Sequence, residues 1–448
     1  MTGRVVIVTG ANSGIGFEVA RHLCEGGNDV VLACRSEEKG KAAVEKILAQ
    51  NPNALATFMQ LDLEDLSSVR KFVEDFHSTG KELHVLVNNA GMSYAFKDKT
   101  RRFTKDNFEM TMGINHLGPF LLTHLLLDDL KKTAEEGEDG EARIINVTSS
   151  MHDLSVRTNR SNNVQPLDME NFFLDKPSTY SGIQAYKNSK LAQILFTYEL
   201  ARKLEGSKVT VNCVCPGFIP KTGLVRHNSS ATRFMVRHVL NPVFKVMKIT
   251  RSLDQGSKAV VDVATNDKLK GVSGKYFSDM QEKTSSEESL KDDLQKSLYK
   301  LSARYCHLDG YEPLDAPEPP PPEEVVKTKS KKGKANKDEK QEAGASGEGE
   351  EDKGESSKDE AEAKVEDNKE IKFIDEDEKQ VEKENQEKTE EVTEKNDEKK
   401  TDSVEDSGKE QTETVEEPVK EIKEKVEEEI KKVDVDTPIQ QVPEIAAQ

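Results

Sequence analysis

Tyr186 and Lys190 stand four apart in the run Ala185-Tyr186-Lys187-Asn188-Ser189-Lys190, and on a helix that spacing puts both on one face. A phenol with a pKa of about 10 is a poor base at neutral pH, and a nearby ammonium favours its phenolate. Such a pair gives or takes a hydroxyl proton while a hydride moves to or from a nicotinamide. Tyr-x-x-x-Lys also recurs by chance on amphipathic surfaces, so the pair needs company. Ser149, just past the apolar run Arg143–Val147, could hold a carbonyl oxygen against Tyr186. A lone serine is otherwise a turn or cap residue.

A second group of residues suits a dinucleotide. Thr9-Gly10-Ala11-Asn12-Ser13-Gly14-Ile15-Gly16 follows the β-branched run Val5–Val8 and precedes Phe17, Ala20, Leu23 and Cys24, which are spaced as one helix face. The first backbone N–H groups of a helix are unpaired and carry partial positive charge, and glycines let a pyrophosphate approach them. Gly10, Asn12, Ser13, Gly14, Ile15 and Gly16 are the candidates for that cradle. The next strand ends in Ala33-Cys34-Arg35, where a carboxylate would select the ribose 2′-hydroxyl and an arginine the 2′-phosphate. Arg35, with Lys39 a turn later, points to NADP(H). Asp62-Leu63 after the third strand offers a carboxylate to an adenine amino group, or an N-cap to a turn. Asn88-Asn89-Ala90-Gly91 after the fourth strand is either a plain turn or a set of small residues beside a flat ring, with Asn89, Ala90 and Gly91 nearest the cofactor.

The elements that must position these groups alternate along the chain. Strands are read at Val5–Val8, Asp29–Cys34, Thr57–Leu61, His84–Val87, Arg143–Val147, Lys208–Val214 and, more weakly, Lys275–Phe277. Between them helices are read at Glu37–Gln50, Leu66–His77, Gly113–Lys131, Ala185–Leu204 and Ser257–Asn266. The pattern is α/β, a doubly wound parallel sheet, and each motif sits just beyond a strand's carboxyl end or on a helix facing that crevice.

Residues 1 to about 307 resemble the classical short-chain dehydrogenase/reductase family, which carries TGxxxGxG, NNAG, a helix asparagine, a serine and YxxxK in this order. The resemblance implies a single Rossmann domain. It also implies that Thr9, Gly10, Gly14 and Gly16 belong to the glycine motif, and that Asn115 holds a proton-relay water beside the lysine. Ser149 would be the catalytic serine that also binds substrate, and Tyr186 the acid/base. Lys190 would be the tyrosine's partner and would grip the nicotinamide ribose. Pro216, Gly217 and Thr222 resemble the segment that closes over the nicotinamide, with one extra residue between the glycine and the threonine. The ACR strand end, INHLGPF, AYKNSKLAQILFTYEL, LVRH and GKYFSD are similar to the retinol dehydrogenase group, with parts shared by polyprenol dehydrogenase-like and WW-domain oxidoreductase relatives. That likeness implies an NADP(H)-dependent oxidoreductase interconverting a lipophilic alcohol and an aldehyde or ketone, retinol/retinal-like first. Residues 231–249 resemble a substrate lid; their basic side chains also suit an anionic membrane surface.

Composition divides the chain. Residues 311–448 hold 24 Lys and Arg against 46 Asp and Glu, leaving 41 and 38 of the chain's 65 and 84 to residues 1–310. About half of that tail is charged, so it cannot bury enough apolar surface to offset chain entropy and is expected to be disordered. Within it Val419, Ile422, Val426, Ile430 and Val433 are spaced for a helix or short coiled coil over 416–433, a site for a protein partner. A sensor or scaffold that binds NADP(H) and recruits a partner through the tail is the rival to an enzyme. The tail's net charge repels phosphate, which disfavours nucleic acid. Five cysteines with no metal spacing fit a reducing compartment, and the first strand begins almost at Met1. A cytoplasmic protein, not secreted and at most peripherally attached to a membrane, is expected.

Overall fold

The computed structural model describes residues 3–137, 140–153, 155, 164–219 and 250–316. Thr222, the segment 231–249, the Pro-rich run 317–322 and the acidic tail with its helix at 416–433 lie outside the described residues.

Eight strands form, those from the apolar runs at the sheet's centre buried on both faces and those at its two edges largely exposed. These are β1 (Val5–Thr9), β2 (Asp29–Cys34), β3 (Leu55–Gln60), β4 (Val85–Asn88), β5 (Ala142–Val147), β6 (Val209–Cys215), β7 (Tyr276–Ser278) and β8 (Gln281–Lys283). They make one sheet in the order β3-β2-β1-β4-β5-β6-β7-β8. Every pairing is parallel except the last, where β8 returns antiparallel after a turn with Asp279 and Met280 at positive φ. Alternate residues feed opposite faces, as a period of two requires. Ile7, Val31, Leu86 and Ile144 join one apolar cluster, and Val6, Val8, Val30, Leu32, Val85 and Val87 join the other.

Helices α1 (Gly14–Glu25) and α2 (Glu37–Gln50) contribute to the second cluster, and α3 (Leu66–His77) to the first. Their ends are set by local chemistry. The Ser36 side chain accepts from the Lys39 N–H, and the Asp65 carboxylate accepts from Ser67 and Ser68 at the start of α3.

The stretch read as one helix over 113–131 is built differently. It begins earlier, at α4 (Met110–Met112), where the Glu109 carboxylate accepts from the N–H groups of Thr111 and Met112. A wide π-type turn follows over Gly113–Leu117, then α5 (Gly118–Leu125) and, past Leu126, α6 (Leu127–Glu136). Pro119 has no N–H to offer the carbonyl four residues back, at Asn115, so regular α-helical bonding cannot run through this point.

The long helix α7 (Gly182–Lys203) follows β5 and is buried on nearly every side. It can enter the core because Gly182 admits the backbone of Ala95, whose oxygen would lie 2.3 Å from a Cβ at that position. Two elements were absent from the sequence reading, the edge strand β8 and a closing helix. Past α8 (Leu253–Thr265), helix α9 (Asp292–Tyr305) places Leu298, Tyr299, Ala303 and Tyr305 in the first cluster. Packing continues beyond residue 310, since Tyr311, Leu314 and Ala316 also lie against that cluster.

Candidate active site

The carboxyl ends of β1, β4, β5 and β6 bring the singled-out residues to one edge of the sheet. At β1 the chain turns through Gly10 and Gly14, both at positive φ, and Ser13 precedes α1 in extended conformation with no side-chain cap. No acidic residue sits in the first turn of α1, so its leading N–H groups are left for an outside acceptor. Space is allotted accordingly. A Cβ on Gly16 would stand 2.3 Å from Asn89 Nδ2 and 2.5 Å from the Gly10 carbonyl, whereas one on Gly14 would meet no protein atom within 4 Å. The turn is packed from beneath and open above. Beneath it, the Cys34 sulfur accepts backbone N–H bonds from Ala11 and Asn12, a support the sequence reading missed. Burial pushes that thiol up to about 12, so it stays neutral.

Asn88–Gly91 is tied to the end of β1. Thr9 Oγ1 accepts from the N–H of Asn89 at 3.0 Å and of Ala90 at 2.9 Å, and Asn89 Nδ2 donates to the Thr9 carbonyl at 2.8 Å. Asn88 donates to Asn146 Oδ1 at 2.9 Å and to Thr123 at 3.0 Å, which clamps β4 to β5. The loop reaches the proton-handling residues at Gly91, where a Cβ would come 3.4 Å from Asn115 Oδ1 and 3.5 Å from Lys190 Nζ. This crevice takes a flat group only if its wall stays small.

Arg35 lies past the end of β2, largely exposed, and donates to Glu64 at 2.9 Å. Asp62 accepts the Glu64 N–H at 3.1 Å, so its carboxylate caps a turn in this structure; Leu63 is buried beside it. Pro216 and Gly217 follow β6. Gly217 has φ of +84°, and a Cβ there would strike the Arg251 side chain at 2.5 Å.

Ser149, Tyr186, Lys190 and Asn115 converge. The Tyr186 hydroxyl faces the Ser149 side chain, while Lys190 Nζ lies 5.7 Å from the Tyr186 ring centre. Lys190 donates to the Val147 carbonyl at 3.1 Å and to Gln193 Oε1 at 3.0 Å. Asn115 grips the loop after β4 through both backbone groups of Met92, accepting at 2.8 Å and donating at 2.9 Å, and donates to Ser189 Oγ at 3.0 Å. His152 holds the Ser149 carbonyl at 2.7 Å through Nδ1 and accepts from the Ser286 N–H at 3.1 Å through Nε2, which fixes its tautomer.

Burial dominates the electrostatics here. It raises the Tyr186 hydroxyl well above its ordinary value, and the facing Ser149 side chain only partly offsets that. It pulls Lys190 down to about 8, against the opposing influence of the Cys215 thiol. The sequence alone suggested that the ammonium would favour phenolate; burial of the hydroxyl is the largest influence on it here and favours the protonated phenol. The arrangement can present one hydroxyl proton beside a serine donor, in a space whose next wall is an uncapped helix end.

Among the described residues no group of three His, Cys, Asp or Glu could hold a metal ion, and no helix is long and apolar enough to cross a membrane. All five cysteines are free and buried.

The family model for short chain dehydrogenase matches residues 4–159 and 177–233. Retinol dehydrogenase 11 of Homo sapiens is 39% identical over 315 residues, which cover 70% of this chain and 88% of that protein. Polyprenol dehydrogenase of Homo sapiens is 37% identical over 309 residues, 68% of this chain and 85% of that one. A crystal structure of an uncharacterized protein from Mycobacterium paratuberculosis superposes with a TM-score of 0.51 at 28% identity, covering 70% of this chain and 96% of that one. With a site of this geometry on a sheet of this order, the chain belongs to the short-chain dehydrogenase family, in its retinol dehydrogenase-like group, as an oxidoreductase of alcohol and carbonyl groups that works with a nicotinamide dinucleotide.

Proposed function

We propose that this protein is an NADP(H)-dependent oxidoreductase that interconverts a lipophilic alcohol and its aldehyde or ketone, with retinol and retinal the first pair to test. The observation that carries the reading is the buried Tyr186 hydroxyl facing half-buried Ser149 with Lys190 beside it, at the sheet edge that also holds the uncapped start of α1. The relatives bear the names of retinol and polyprenol dehydrogenases, and both of those alcohols are lipophilic.

The dinucleotide would lie with its pyrophosphate at Gly10–Gly16, its adenosine near Arg35, Asp62 and Leu63, and its nicotinamide between Asn89–Gly91 and Pro216-Gly217. When bound, it supplies or accepts the hydride. This chain's residues do the rest. Ser149 and Tyr186 hydrogen-bond the substrate oxygen and orient the carbonyl. In reduction Tyr186 gives its proton to the oxygen as negative charge develops there. Lys190, held by Val147 and Gln193, stabilises the phenolate left behind. In oxidation the same groups run in reverse, with phenolate as base. Arg35 supports NADP(H) over NAD(H), because a guanidinium pairs with a 2′-phosphate through charge-assisted bonds worth about 1.5–3 kcal/mol, roughly tenfold to a hundredfold in affinity.

Titration of the full chain with NADPH and NADH, followed by all-trans-retinal and absorbance at the nicotinamide band, tests this directly. Tighter NADPH binding with retinal-dependent oxidation is expected. Tyr186→Phe should lower turnover by about 10²–10⁴-fold while NADPH affinity stays within a few-fold. Equal or tighter NADH binding would overturn the cofactor assignment, and undiminished turnover by the variant would overturn the mechanism.

A further inference from the structure

Gln193 lies one helical turn beyond Lys190 on the inner face of α7, and its side-chain amide spans a gap between two groups of the site. Its Oε1 accepts from Lys190 Nζ at 3.0 Å, and its Nε2 donates to the backbone carbonyl of Asn115 at 2.7 Å. All three residues are buried. The orientation of the amide follows from chemistry. An ammonium only donates and a carbonyl only accepts, so Oε1 must face Lys190 and Nε2 must face Asn115.

The Asn115 carbonyl is open to this bond for a reason already in the sequence. Its α-helical donor would be the N–H of residue 119, and Pro119 has none. Gln193 supplies a donor there. The glutamine is itself anchored. Its carbonyl accepts from Thr197 Oγ1 at 2.7 Å, and that hydroxyl accepts from Asn146 Nδ2 at 2.9 Å.

We propose that Gln193 is a positioning residue of the active site, whose amide bridges Lys190 to the Asn115 carbonyl and aims the ammonium at Tyr186 through a link that does not titrate. The inference rests on the oxidoreductase reading above. With Val147 and Gln193 each taking one of the three ammonium N–H groups, the third is left to point along the remaining direction. The titratable groups facing Lys190 are Tyr186 on its own helix and Cys215 at the end of β6. From β5 comes only the Val147 carbonyl, and from the loop after β4 and the π-type turn come Gly91 and Asn115.

Two variants of the full chain separate this role from simple packing. Gln193→Leu keeps the bulk and removes both bonds. Gln193→Glu keeps the shape, sets a carboxylate against the ammonium, and removes the donor to Asn115. Turnover with NADPH and all-trans-retinal would be followed from pH 6 to 10, with NADPH affinity measured by fluorescence and thermal melting as the fold control.

The leucine variant is expected to lose at least tenfold in kcat with little change in KM. The glutamate variant is expected to move the alkaline limb of the kcat profile upward by about one unit or more, because an adjacent negative charge favours the ammonium. A folded leucine variant with wild-type kcat, or a glutamate variant with an unmoved limb, overturns the proposal. If the leucine variant does not fold, the glutamate limb decides. Wild-type protein that neither binds NADPH nor turns over would instead overturn the oxidoreductase reading, so the two failures are distinct.

Discussion

Thr9 gives the most exposed test of how the site is held together. Its hydroxyl is fully buried at the end of β1, where it accepts from the N–H of Asn89 at 3.0 Å and of Ala90 at 2.9 Å and donates to the Val87 carbonyl at a long 3.4 Å. Thr9→Val keeps the shape but withdraws the acceptor, leaving the Ala90 N–H facing a methyl and the Asn89 N–H with only the Val87 carbonyl, at 3.0 Å. A buried donor left unmade costs about 1–3 kcal/mol, while the weak bond to Val87 adds little. Adding about 1 kcal/mol for the bond that Asn89 loses, and allowing for the gain from burying a methyl, the net loss should be about 2 kcal/mol. At roughly 2 °C per kcal/mol for a domain of this size, the melting temperature should fall by about 4 °C. Thr9→Ser keeps the acceptor and loses only a methyl, about 1 kcal/mol, so it should fall by about 2 °C. NADPH affinity should follow the same order, because the loop that Thr9 holds carries Gly91 against Lys190. Scanning fluorimetry and NADPH fluorescence titration on both variants make the measurement. If valine melts within a degree of serine, the loop is not held by this hydroxyl.

Two further outcomes follow from the same geometry. Gly16→Ala sets a Cβ 2.5 Å from the Gly10 carbonyl, a backbone group that cannot swing aside, so the turn over α1 must deform. NADPH affinity should drop at least about tenfold, and a binding isotherm equal to wild type would disprove the assignment of this turn to the pyrophosphate. His116 and His124 are buried as neutral imidazoles, their pKa values pulled by burial to about 3 and about 4. An unfolded histidine titrates at about 6.5. Their stabilising effect is therefore complete above pH 6.5 and is lost as pH falls through that value toward 4, before most carboxylates titrate. Melting at pH 5 should be clearly lower than at pH 7.5, and equal melting temperatures would contradict it.

Much of the fold was readable because its signals are local. The β-branched runs of β1 and β2 are buried on both faces, and α2 and α3 carry their own caps in Ser36 and Asp65, so the limits of β2, α2 and α3 were found to the residue and β1 extends one further, to Thr9. Where position depends on distant partners, the reading failed. Strand β8 is exposed and polar, Gln-Glu-Lys, and exists only because β7 pairs with it. The break at Gly113–Leu117 depends on Pro119, whose effect shows only when the carbonyl of Asn115 is followed. At the site, residue types and order located Ser149, Tyr186 and Lys190, and the family resemblance Asn115, but not that burial would be the largest influence at Tyr186. Gln193 was hidden for the same reason as β8. A glutamine three residues after a lysine is ordinary until Asn115 is seen across from it.

Helix α7 explains why that residue matters. A helix buried on almost every side is usually apolar, yet this one carries Gln184, Asn188, Ser189, Lys190, Gln193 and Thr197, all buried. They are not scattered. Asn88 donates to Asn146, Asn146 to Thr197, Thr197 to the carbonyl of Gln193, and the Gln193 amide to Asn115 while accepting from Lys190. The chain of bonds starts in the sheet at β4 and β5 and ends at the ammonium. Each link is buried, so each bond is stronger than in water and each loss would leave a group that nothing else can satisfy. A lysine on a flexible four-carbon stem has many rotamers to lose. Tying it to β4 and β5 through side chains that neither titrate nor reach solvent fixes its charge where Tyr186 needs it, and this is the physical case for reading the polar face of α7 as part of the active site.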